Sequence, residues 1–560
     1  MITPPHEPIG EPVGGAALVA WIAAPTVDRG IRFALAGDEW DVWSYARLAL
    51  ETRRVAAGLT AAGVRRGDVV CITARTGPAF VTAFFGSLLA GTTPAPVAPP
   101  FLFESAADYA THVARVLTAA RPAIVVTESA EACDEIRTLP IDLPRVDAID
   151  DVRAALPIDA TVAAAAASAL PAIGLLQFTS GSSASSRGVR VTCAALAANV
   201  TAIRTWLRWT EDVAFASWLP LHHDMGLIGA LVCAVTGQRD LWLMQPAQFV
   251  RQPARYLRCF GRHGAALSVM PTFGLDHIIR RVTPSALAGC DFSRWHGLVI
   301  GAERVDASTL DRFTTLLAPF GFSRLALAPA YGLAEATLAV TGVPLDESWS
   351  AIDVAPASLS LGQDIVLARE GQPRETIVGC GRPLGGASIA IVDAAGAAVP
   401  DGRVGEIVVR GPSVAAGYAD ARNGAATALA DGTLITGDAG FVRDGQLFVL
   451  GRLGDSLKVR GRVVFGEELE LAVAALGVPR ARVAALLGVH HGQPTAVIVI
   501  ERFHGSADAV RALIRLHAGD VSGVVLDAPA GTIARTTSGK PKRRQLWHAF
   551  TSGTLPGMPI

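Results

Sequence analysis

The feature that most constrains the fold is an alternation of short apolar runs with helical stretches, which continues to about residue 380. Five runs have the length and apolar character of buried strands: ARPAIVVTE, AIGLLQF, AFASWLP, AALSVMP and GLVIGAE. Three further stretches carry apolar residues at helical spacing: VTCAALAANVTAIRTWL, TFGLDHIIRRV and ASTLDRFTTLLAPF. Strands that alternate with helices in this way predict an α/β class, with layers built on largely parallel sheets.

The pattern changes after about residue 380. ASIAIVD, GEIVVRG, TLITGD and QLFVLGR read as short strands separated by turns, which predicts a small β subdomain over about 380–450. A compact α+β stretch follows, with helical EELELAVAAL and ADAVRALIRLHA on either side of the strand TAVIVIERF. We therefore expect a large N-terminal domain over residues 1–450 and a small mobile C-terminal domain over 451–560. The hinge is expected near 450–455.

Composition and charge exclude several classes of protein. Hydrophobic residues make up 51% and charged residues 18%, which is typical of a folded globular chain. The net charge of -1 gives no overall attraction to nucleic acid or to an acidic membrane. Seven scattered cysteines without a CxxC pair favour a reducing compartment over a zinc site. Neither a secretion signal nor a membrane span is recognisable, so we expect a cytoplasmic protein.

The stretch LLQFTSGSSASSRGVRVT, residues 175–192, combines an apolar run with a loop of Thr, Ser and Gly. Such a loop presents backbone N–H groups and hydroxyls to one point, which can bind phosphate without a lysine. It is neither a GxxxxGK[ST] loop nor a GxSxG nucleophile elbow. Standing alone, it would more often be a plain surface turn.

The loop does not stand alone, because six segments in order resemble the motifs of the adenylate-forming, AMP-binding superfamily of acyl-activating enzymes. They are TSGSSASSRGV, SWLPLHHDMGLIG, PAYGLAEATL, TGDAGF, GRLGDSLKVRGR and TTSGK. The second is similar to the fatty acyl-AMP ligase branch in particular. Weaker likeness in APVAPP, GAERV and VGEIVVRGPSVAAGY extends the resemblance over nearly the whole chain.

The resemblance implies a role for each matching residue. Lys540, His223 and Glu335 would be catalytic, with Lys540 carried in by the C-terminal domain to neutralise the substrate carboxylate and the α-phosphate. Glu335 would ligate Mg²⁺ with Thr179 nearby, Tyr331 would stack on adenine, and Asp438 and Arg452 would bind the ribose of ATP. The remaining nucleotide-binding positions are Ser180, Gly181, Ser182, Ser183, Arg187, Ala302, Glu303, Ala330 and Gly332.

The resemblance also implies the reaction. A fatty acid of medium or long chain would react with ATP to give acyl-adenylate and pyrophosphate, and the acyl group would then pass to the phosphopantetheine thiol of an acyl carrier protein. About forty residues separate Leu338 from Gly379. This length resembles the insertion of the fatty acyl-AMP ligases, placed here at about 345–378 and associated with hindrance of the coenzyme A reaction.

Alternatives remain at this stage. An acyl-CoA synthetase would have the same fold, and a non-catalytic nucleotide- or acyl-binding relative would explain the altered loop, in which Arg187 takes the usual lysine position. GDSL at 454–457 spells an esterase signature, but it lies late in the chain without an obvious Asp-x-x-His partner. His222-His223-Asp224 could suggest a metal site, although neighbouring side chains at a strand end are expected to point in opposite directions.

Overall fold

The computed structural model describes residues 14–100, 106–154, 170–179, 187–419, 427–430, 432–459, 462–519, 521–536 and 539–560. Its largest element is a nine-stranded sheet whose six central strands run parallel. In spatial order the strands are Arg382–Pro383, Ala339–Gly342, Leu327–Gly332, Gly297–Ile300, Ala265–Met270, Ala214–Ser217, Leu241–Leu243, Gly30–Ala34 and Trp40–Ser44. The α/β class predicted from the alternation is therefore confirmed.

A second parallel sheet and a hairpin complete the part that precedes residue 200. The parallel sheet contains, in spatial order, Thr93–Pro96, Val69–Thr73, Ile124–Thr127 and Arg145–Ala148. The hairpin pairs Ile173–Thr179 with Arg187–Thr192 in antiparallel orientation. All five runs that the sequence predicted as strands contain a strand.

Helices pack on these sheets, and two of them begin after a residue whose side chain accepts a hydrogen bond from a backbone N–H of the first turn. Thr192 caps the helix Cys193–Trp206 by accepting a hydrogen bond from the Ala195 N–H, and Asp306 caps Ala307–Leu317 in the same way. The α-helices of this part are Ala17–Ala20, Tyr45–Ala61, Pro78–Leu89, Ala106–Ala120, Ala130–Arg137, Ile149–Arg153, Cys193–Trp206, Cys233–Thr236, Pro246–Arg251, Pro253–Gly261, Thr272–Arg281 and Ala307–Leu317. A π-helix, Met225–Val232, precedes Cys233–Thr236, and short 3₁₀ turns lie at Pro284–Leu287, Ala318–Phe320, Arg324–Ala326, Ala334–Ala336, Pro356–Ser358, Leu453–Asp455 and Arg480–Arg482. The three predicted helical stretches are all helical.

The stretch resembling an insertion contains a small antiparallel pair of strands, Ala351–Val354 and Glu375–Val378. After it comes an antiparallel sheet of Ser388–Val392, Gly405–Arg410, Ala428–Ala430, Thr433–Arg443 and Gln446–Arg452. The last two of these form a hairpin whose register places Asp438 opposite Arg452. Two motif residues that are fourteen positions apart are thereby brought together by strand pairing.

The C-terminal part has its own sheet and core. The strands Val483–His490, Gln493–Glu501, Ser522–Ala528 and Met558–Pro559 form the sheet, and Ser456–Val459 pairs with Arg462–Phe465 ahead of it. The helices Gly466–Ala474, Ala507–Ala518 and Arg543–Thr551 pack on this sheet. Two buried apolar clusters drawn from residues 457–550 fill the interior.

Two further observations concern the chain as a whole. All seven cysteines are buried and free. In the described part of the chain, no helix combines the length and the apolar character needed to cross a membrane.

Candidate active site

The hairpin around the altered serine loop brings Thr179 and Arg187 together. These two residues face each other at the open end of the strand pair, and the Thr179 hydroxyl lies 3.5 Å from the Arg187 carbonyl oxygen. Ser180, Gly181, Ser182 and Ser183, predicted to bind phosphate, lie outside the described residues. Arg187 therefore stands directly at the end of the loop in which a phosphate-binding cation was expected.

Tyr418 connects Arg187 to Glu335, and sequence reasoning did not single it out. The Arg187 guanidinium carbon lies 3.2 Å from the centroid of the Tyr418 ring, a cation–π contact. The Tyr418 hydroxyl donates a hydrogen bond of 2.9 Å to Oε1 of Glu335. Only its position at the end of the weakly similar stretch VGEIVVRGPSVAAGY could have indicated this residue, because a tyrosine carries no charge to mark it.

Backbone pairing fixes Tyr418 in this position. The Arg190 N–H donates to the Gly417 carbonyl at 2.8 Å, and the Ala416 N–H donates to the Arg190 carbonyl at 2.9 Å. The segment therefore runs beside the second strand of the hairpin. Glu335 is held from the same side, since its carbonyl accepts the Ala415 N–H at 2.9 Å and its side chain is almost fully buried.

Asp438 is the centre of a second group of paired side chains. Its Oδ2 accepts the Tyr331 hydroxyl at 2.7 Å, and its Oδ1 accepts the Arg452 Nε–H at 3.2 Å. Burial raises the pKa of the Asp438 carboxyl and raises that of the Tyr331 hydroxyl well above its usual range. Burial opposes the charge of Arg452, but the Asp438 and Glu335 carboxylates raise its pKa above the ordinary value.

The predicted nucleotide residues near residue 300 lie where two parallel strands of the large sheet end. Ala302 adopts a positive φ of 67°, an uncommon conformation for a residue with a side chain. Oε1 of Glu303 accepts the Phe273 N–H at 2.8 Å, and its Oε2 lies 3.5 Å from the Arg480 guanidinium. Glu303 is thus already engaged by two protein groups, one of them from the C-terminal part.

Ala330 and Gly332 belong to the neighbouring strand, on either side of Tyr331. A Cβ atom at Gly332 would lie 1.9 Å from the Leu338 carbonyl oxygen, so the backbone approaches too closely for any other residue. This close approach sets the turn that presents Glu335.

His222 and His223 do not point apart, contrary to the expectation from the sequence. Their ring centroids lie 5.0 Å from each other, because the two residues follow the strand Ala214–Ser217 in a turn, to which the two-residue alternation of a strand does not apply. Burial lowers the pKa of both imidazoles, and that of His223 falls to about 4 with a further contribution from the charge of Lys540. Both rings are therefore neutral near pH 7.

Asp224 was considered from the sequence only as a possible metal ligand beside the two histidines, and no catalytic role was predicted for it. Burial raises the pKa of its carboxyl to about 6, and the charges of Lys540 and Glu335 also act on it. Its Oδ1 accepts the N–H of Met225 at 2.8 Å, at the start of the π-helix. Asp224 therefore lies in the same electrostatic environment as the predicted catalytic residues.

Lys540 lies on an exposed turn of the C-terminal part. Its N–H donates to the Thr536 hydroxyl at 3.1 Å, and its carbonyl accepts the Thr536 N–H at 2.8 Å. A Cβ at the adjacent Gly539 would lie 3.6 Å from the Phe273 ring, so this turn faces the large N-terminal part. The positive charge of Lys540 adds to burial in lowering the pKa of His223, and it opposes the rise that burial causes in the pKa of Asp224 and Asp438. The structure therefore brings the three predicted catalytic side chains, His223, Glu335 and Lys540, from distant segments to one place.

The donor set fits a divalent cation of the magnesium type. Glu335 offers a buried carboxylate and Thr179 a hydroxyl, both of them hard oxygen donors of the kind Mg²⁺ prefers.

A family model, several relatives and solved structures are similar to this chain. The model of the AMP-binding enzyme family matches residues 23–419. A putative acyl-CoA synthetase from Caulobacter vibrioides is 32% identical over 95% of this chain and 94% of its own. JamA from Moorena producens, a medium-chain-fatty-acid–[acyl-carrier-protein] ligase, is 33% identical over 68% of each chain. A solved structure from a study of fatty acyl-adenylate ligases from E. coli and L. pneumophila is 27% identical, covers 98% of this chain and 99% of that one, and superposes with a TM-score of 0.86.

The family match, the relatives and the shared fold agree with one another. The chain belongs to the AMP-binding enzyme family, within its fatty acyl-AMP ligase branch.

Proposed function

We propose that this protein activates a fatty acid with ATP and passes the acyl group to the phosphopantetheine thiol of an acyl carrier protein. A carboxylate oxygen of the fatty acid attacks the α-phosphorus of ATP. The bond from that phosphorus to the oxygen bridging to the β-phosphate breaks, and pyrophosphate leaves. In the second step the thiol sulfur attacks the acyl carbon, AMP leaves, and the thiol proton passes to solvent.

One observation carries the proposal: Asp438 is held between Tyr331 and Arg452 while the charge of Lys540 reaches the same carboxylate. An attack of one anion on another needs cationic groups placed beforehand around the reacting atoms. Arg187 and Arg452 are held by protein contacts, and Lys540 adds a third cation from the C-terminal part. This arrangement supports nucleotide chemistry at an α-phosphate.

The individual roles are proposals as well. Asp438 accepts hydrogen bonds from the ribose hydroxyls, the Tyr331 ring packs against adenine, and Arg187 binds phosphate oxygens. Glu335 and Thr179 would hold Mg²⁺, which supplies charge neutralisation of the phosphates when bound. His223, neutral at pH 7, can donate one hydrogen bond to the reacting oxygens without adding a charge. The backbone beside the adenine base, which we call the nucleotide wall, is formed by Ala302, Glu303, Ala330 and Gly332. The Glu303 side chain connects this wall to Arg480.

The acceptor thiol is chosen on two grounds. JamA is named as a ligase that uses an acyl carrier protein, and the stretch 345–378 has the length of the insertion that characterises the branch. The rival acceptor is coenzyme A, because another relative is named a putative acyl-CoA synthetase. We also propose that residues 1–450 and 451–560 are separate domains, and the cytoplasm remains the predicted location.

A single assay tests the function. Purified protein, ATP, Mg²⁺ and a panel of fatty acids are incubated with coenzyme A, and the products are identified by mass spectrometry. We expect acyl-AMP to accumulate without acyl-CoA, and a phosphopantetheine-bearing carrier protein to become acylated when it replaces coenzyme A. Ready formation of acyl-CoA would make the protein a synthetase. Failure to form acyl-AMP from any acid in the panel would contradict the activation step itself.

The insertion is tested by removal of its exposed part. A variant in which residues 361–374, the mostly exposed part of this stretch that precedes Glu375, are replaced by a short Gly/Ser linker should gain acyl-CoA formation while still forming acyl-AMP. If the variant forms acyl-AMP at the original rate and no acyl-CoA, this part of the insertion does not determine the acceptor.

A further inference from the structure

Four charged side chains that have no assigned role in the proposed reaction meet in a buried cluster. Arg304 and Glu375 belong to the large N-terminal part, and Glu468 and His517 to the C-terminal part. The Arg304 Nη2 atom lies 2.5 Å from Oε1 of Glu375. Nδ1 of His517 lies 2.8 Å from Oε1 of Glu468 and 3.9 Å from Oε2 of Glu375. We call these four residues the interface cluster.

The cluster is shielded from water. Side-chain exposure is 6% for Arg304, 8% for Glu375, 2% for Glu468 and 12% for His517. Ionised groups in such a place are costly unless their charges balance. With both carboxyls ionised and the imidazole neutral, the cluster carries one uncompensated negative charge. One added proton makes it neutral.

Three of these side chains lie close enough together to share that proton. One oxygen or nitrogen from each of Glu375, Glu468 and His517 lies within 4.8 Å of the others. Among the described residues, Oε2 of Glu375 is a buried oxygen that accepts no hydrogen bond, so it can carry a proton without losing one. The Arg304 guanidinium already occupies the cationic position beside these carboxyls, which disfavours a metal ion there.

The cluster also lies next to the nucleotide wall. Arg304 directly follows Glu303, and its carbonyl accepts a hydrogen bond from Arg480 at 3.3 Å. Arg480 in turn pairs with Glu303 at 3.5 Å. The same surface therefore joins the C-terminal part, which carries Lys540, to the wall beside the predicted adenine position.

We propose that the interface cluster holds one shared proton and thereby fixes the C-terminal part where Lys540 faces the nucleotide site. Arg304, Glu375, Glu468 and His517 are positioning residues in this view, because none of them touches the reacting atoms. Their effect on catalysis rests on the proposed function, whereas their effect on docking does not.

The direction of the pH dependence follows from the carboxyls. Burial, reinforced by the neighbouring Glu468 carboxylate, raises the pKa of Glu375 to about 7, while hydrogen bonding from His517 keeps the pKa of Glu468 below its ordinary value. A carboxyl with a raised pKa favours the docked state most strongly below its ordinary pKa, and this contribution is lost as the pH rises through the docked pKa. Docking should therefore weaken between about pH 5 and pH 7 and level off above that range.

The charged groups around the cluster are themselves paired. Arg543 contacts Glu470 at 2.9 Å and lies 3.8 Å from Glu467, whose carboxyl has a pKa below its ordinary value. Although burial raises the pKa of Glu467, the charges of Arg543, Lys540, Arg480 and Arg304 outweigh it. Glu467 and Arg543 therefore keep their charges over the pH range of interest, and we assign the pH dependence to the interface cluster.

The test is a measurement of docking that does not depend on activity. Single-molecule fluorescence energy transfer is recorded between dyes on Ser285→Cys and Ser552→Cys, two exposed positions on opposite sides of the interface. The seven native cysteines are buried, so labelling is confined to the two new thiols under native conditions. The docked and undocked populations give the docking constant at each pH from about 5.5 to 7.5.

Glu375→Gln is the decisive variant, because an uncharged amide replaces the protonated carboxyl at nearly the same volume. We expect its docking constant, divided by that of the unsubstituted protein, to rise by up to about tenfold for each pH unit between pH 5 and pH 7. Glu370→Gln, an exposed position in the same segment, should follow the unsubstituted protein throughout. The rate of acyl-AMP formation should follow the docked fraction of each protein.

Several results would overturn the proposal. One is a docking constant of the unsubstituted protein that does not change with pH, which needs no variant to fold. Another is a Glu375→Gln protein that keeps the original pH dependence. A docked population that grows on addition of Co²⁺ and shrinks with a chelator would replace the proton by a metal ion. If acyl-AMP never forms while docking follows the predicted pH dependence, the proposed function is wrong, but the role of the interface cluster in docking is supported.

Discussion

Two regions supply the charges around the predicted reacting atoms, and they do so in different ways. In the first region, which includes the hairpin that ends at Arg452, Asp438 is joined to Arg452 and Tyr331 by hydrogen bonds, and Glu335 is joined to Tyr418. On the C-terminal side, Lys540 stands on an exposed turn and acts on the site through its charge. The first region is organised before any substrate arrives. The second can be moved without dismantling the first.

This difference predicts which substitutions alter catalysis alone and which also alter stability. The nucleotide side is held by buried pairs, so damage there should weaken the fold as well as the reaction. Lys540 contributes charge without burial, so its loss should be visible in the reaction only.

The largest effect is expected for Lys540→Ala. Removing a cation aimed at developing charge typically costs on the order of 3 kcal/mol in the barrier, so acyl-AMP formation should fall by about a hundredfold or more. Thermal unfolding should not change, because the side chain is exposed. Arg544→Ala, an exposed cation four residues away, serves as the control and should keep the original rate. Equal rates for the Lys540→Ala and unsubstituted proteins would exclude the lysine from the reaction.

Asp438→Asn removes the carboxylate charge that pairs with Arg452 and Tyr331 in the buried group. Arg452 would lose the carboxylate that compensates its charge, and Tyr331 would lose a charged acceptor. Because the Arg452 side chain is 39% exposed, we expect a loss of about 2 kcal/mol in the free energy of unfolding, less than for a fully buried pair. Denaturant titration measures this loss, and Asp444→Asn, in the exposed turn of the same hairpin, is the control. A stable Asp438→Asn protein would show that the pairing is not structural.

The free energy of unfolding at acid pH tests whether His223 is as well buried as the pairs around Asp438. A pKa lowered to about 4 means that His223 favours the folded state fully above its ordinary pKa, and that this contribution is lost as the pH falls toward 4. In the unsubstituted protein the group should cost about 1.4 kcal/mol for each pH unit below 6.5. His223→Gln should reduce the slope of unfolding free energy against pH in that range. His504→Gln, at an exposed position, should leave the slope unchanged, and a His223→Gln slope equal to the original would mean that the imidazole is not protected from protonation.

Tyr418→Phe should have the smallest effect. The phenyl ring still packs under Arg187, but the hydrogen bond to Glu335 is lost, which is worth about 1 kcal/mol. Acyl-AMP formation should fall by roughly fivefold and should require more Mg²⁺ for half-maximal rate. Tyr109→Phe, in the helix Ala106–Ala120 that packs on the separate parallel sheet, controls for the loss of a tyrosine hydroxyl. An unchanged Mg²⁺ requirement would separate Tyr418 from the metal site.

The sequence predicted those elements whose periodicity was strong. Each of the five apolar runs contains a strand, and the three helical stretches are helices, since local spacing and caps such as Thr192 and Asp306 act over a few residues. Prediction failed for His222 and His223, which were treated as the end of a strand. The strand ends at Ser217, and the chain turns before it reaches them.

Contacts between distant segments were beyond the reach of sequence patterns. Nothing in the sequence indicated that Tyr418 would join Arg187 to Glu335, because an uncharged aromatic in a weakly similar stretch gives no chemical signal. Asp224 was considered only as part of a possible metal site with His222 and His223, and its raised pKa comes from burial, which the sequence does not report.

The sequence by itself determined the family, the order of the motifs and the identity of the charged side chains, because these depend only on which residues follow one another. The tertiary structure alone decided which charges are paired and which are exposed. Asp438 meets Arg452 through strand register, and Glu375 meets Glu468 and His517 because two parts of the chain pack together. Burial and proximity arise only from folding, and they set the pKa of each group and therefore its proposed role.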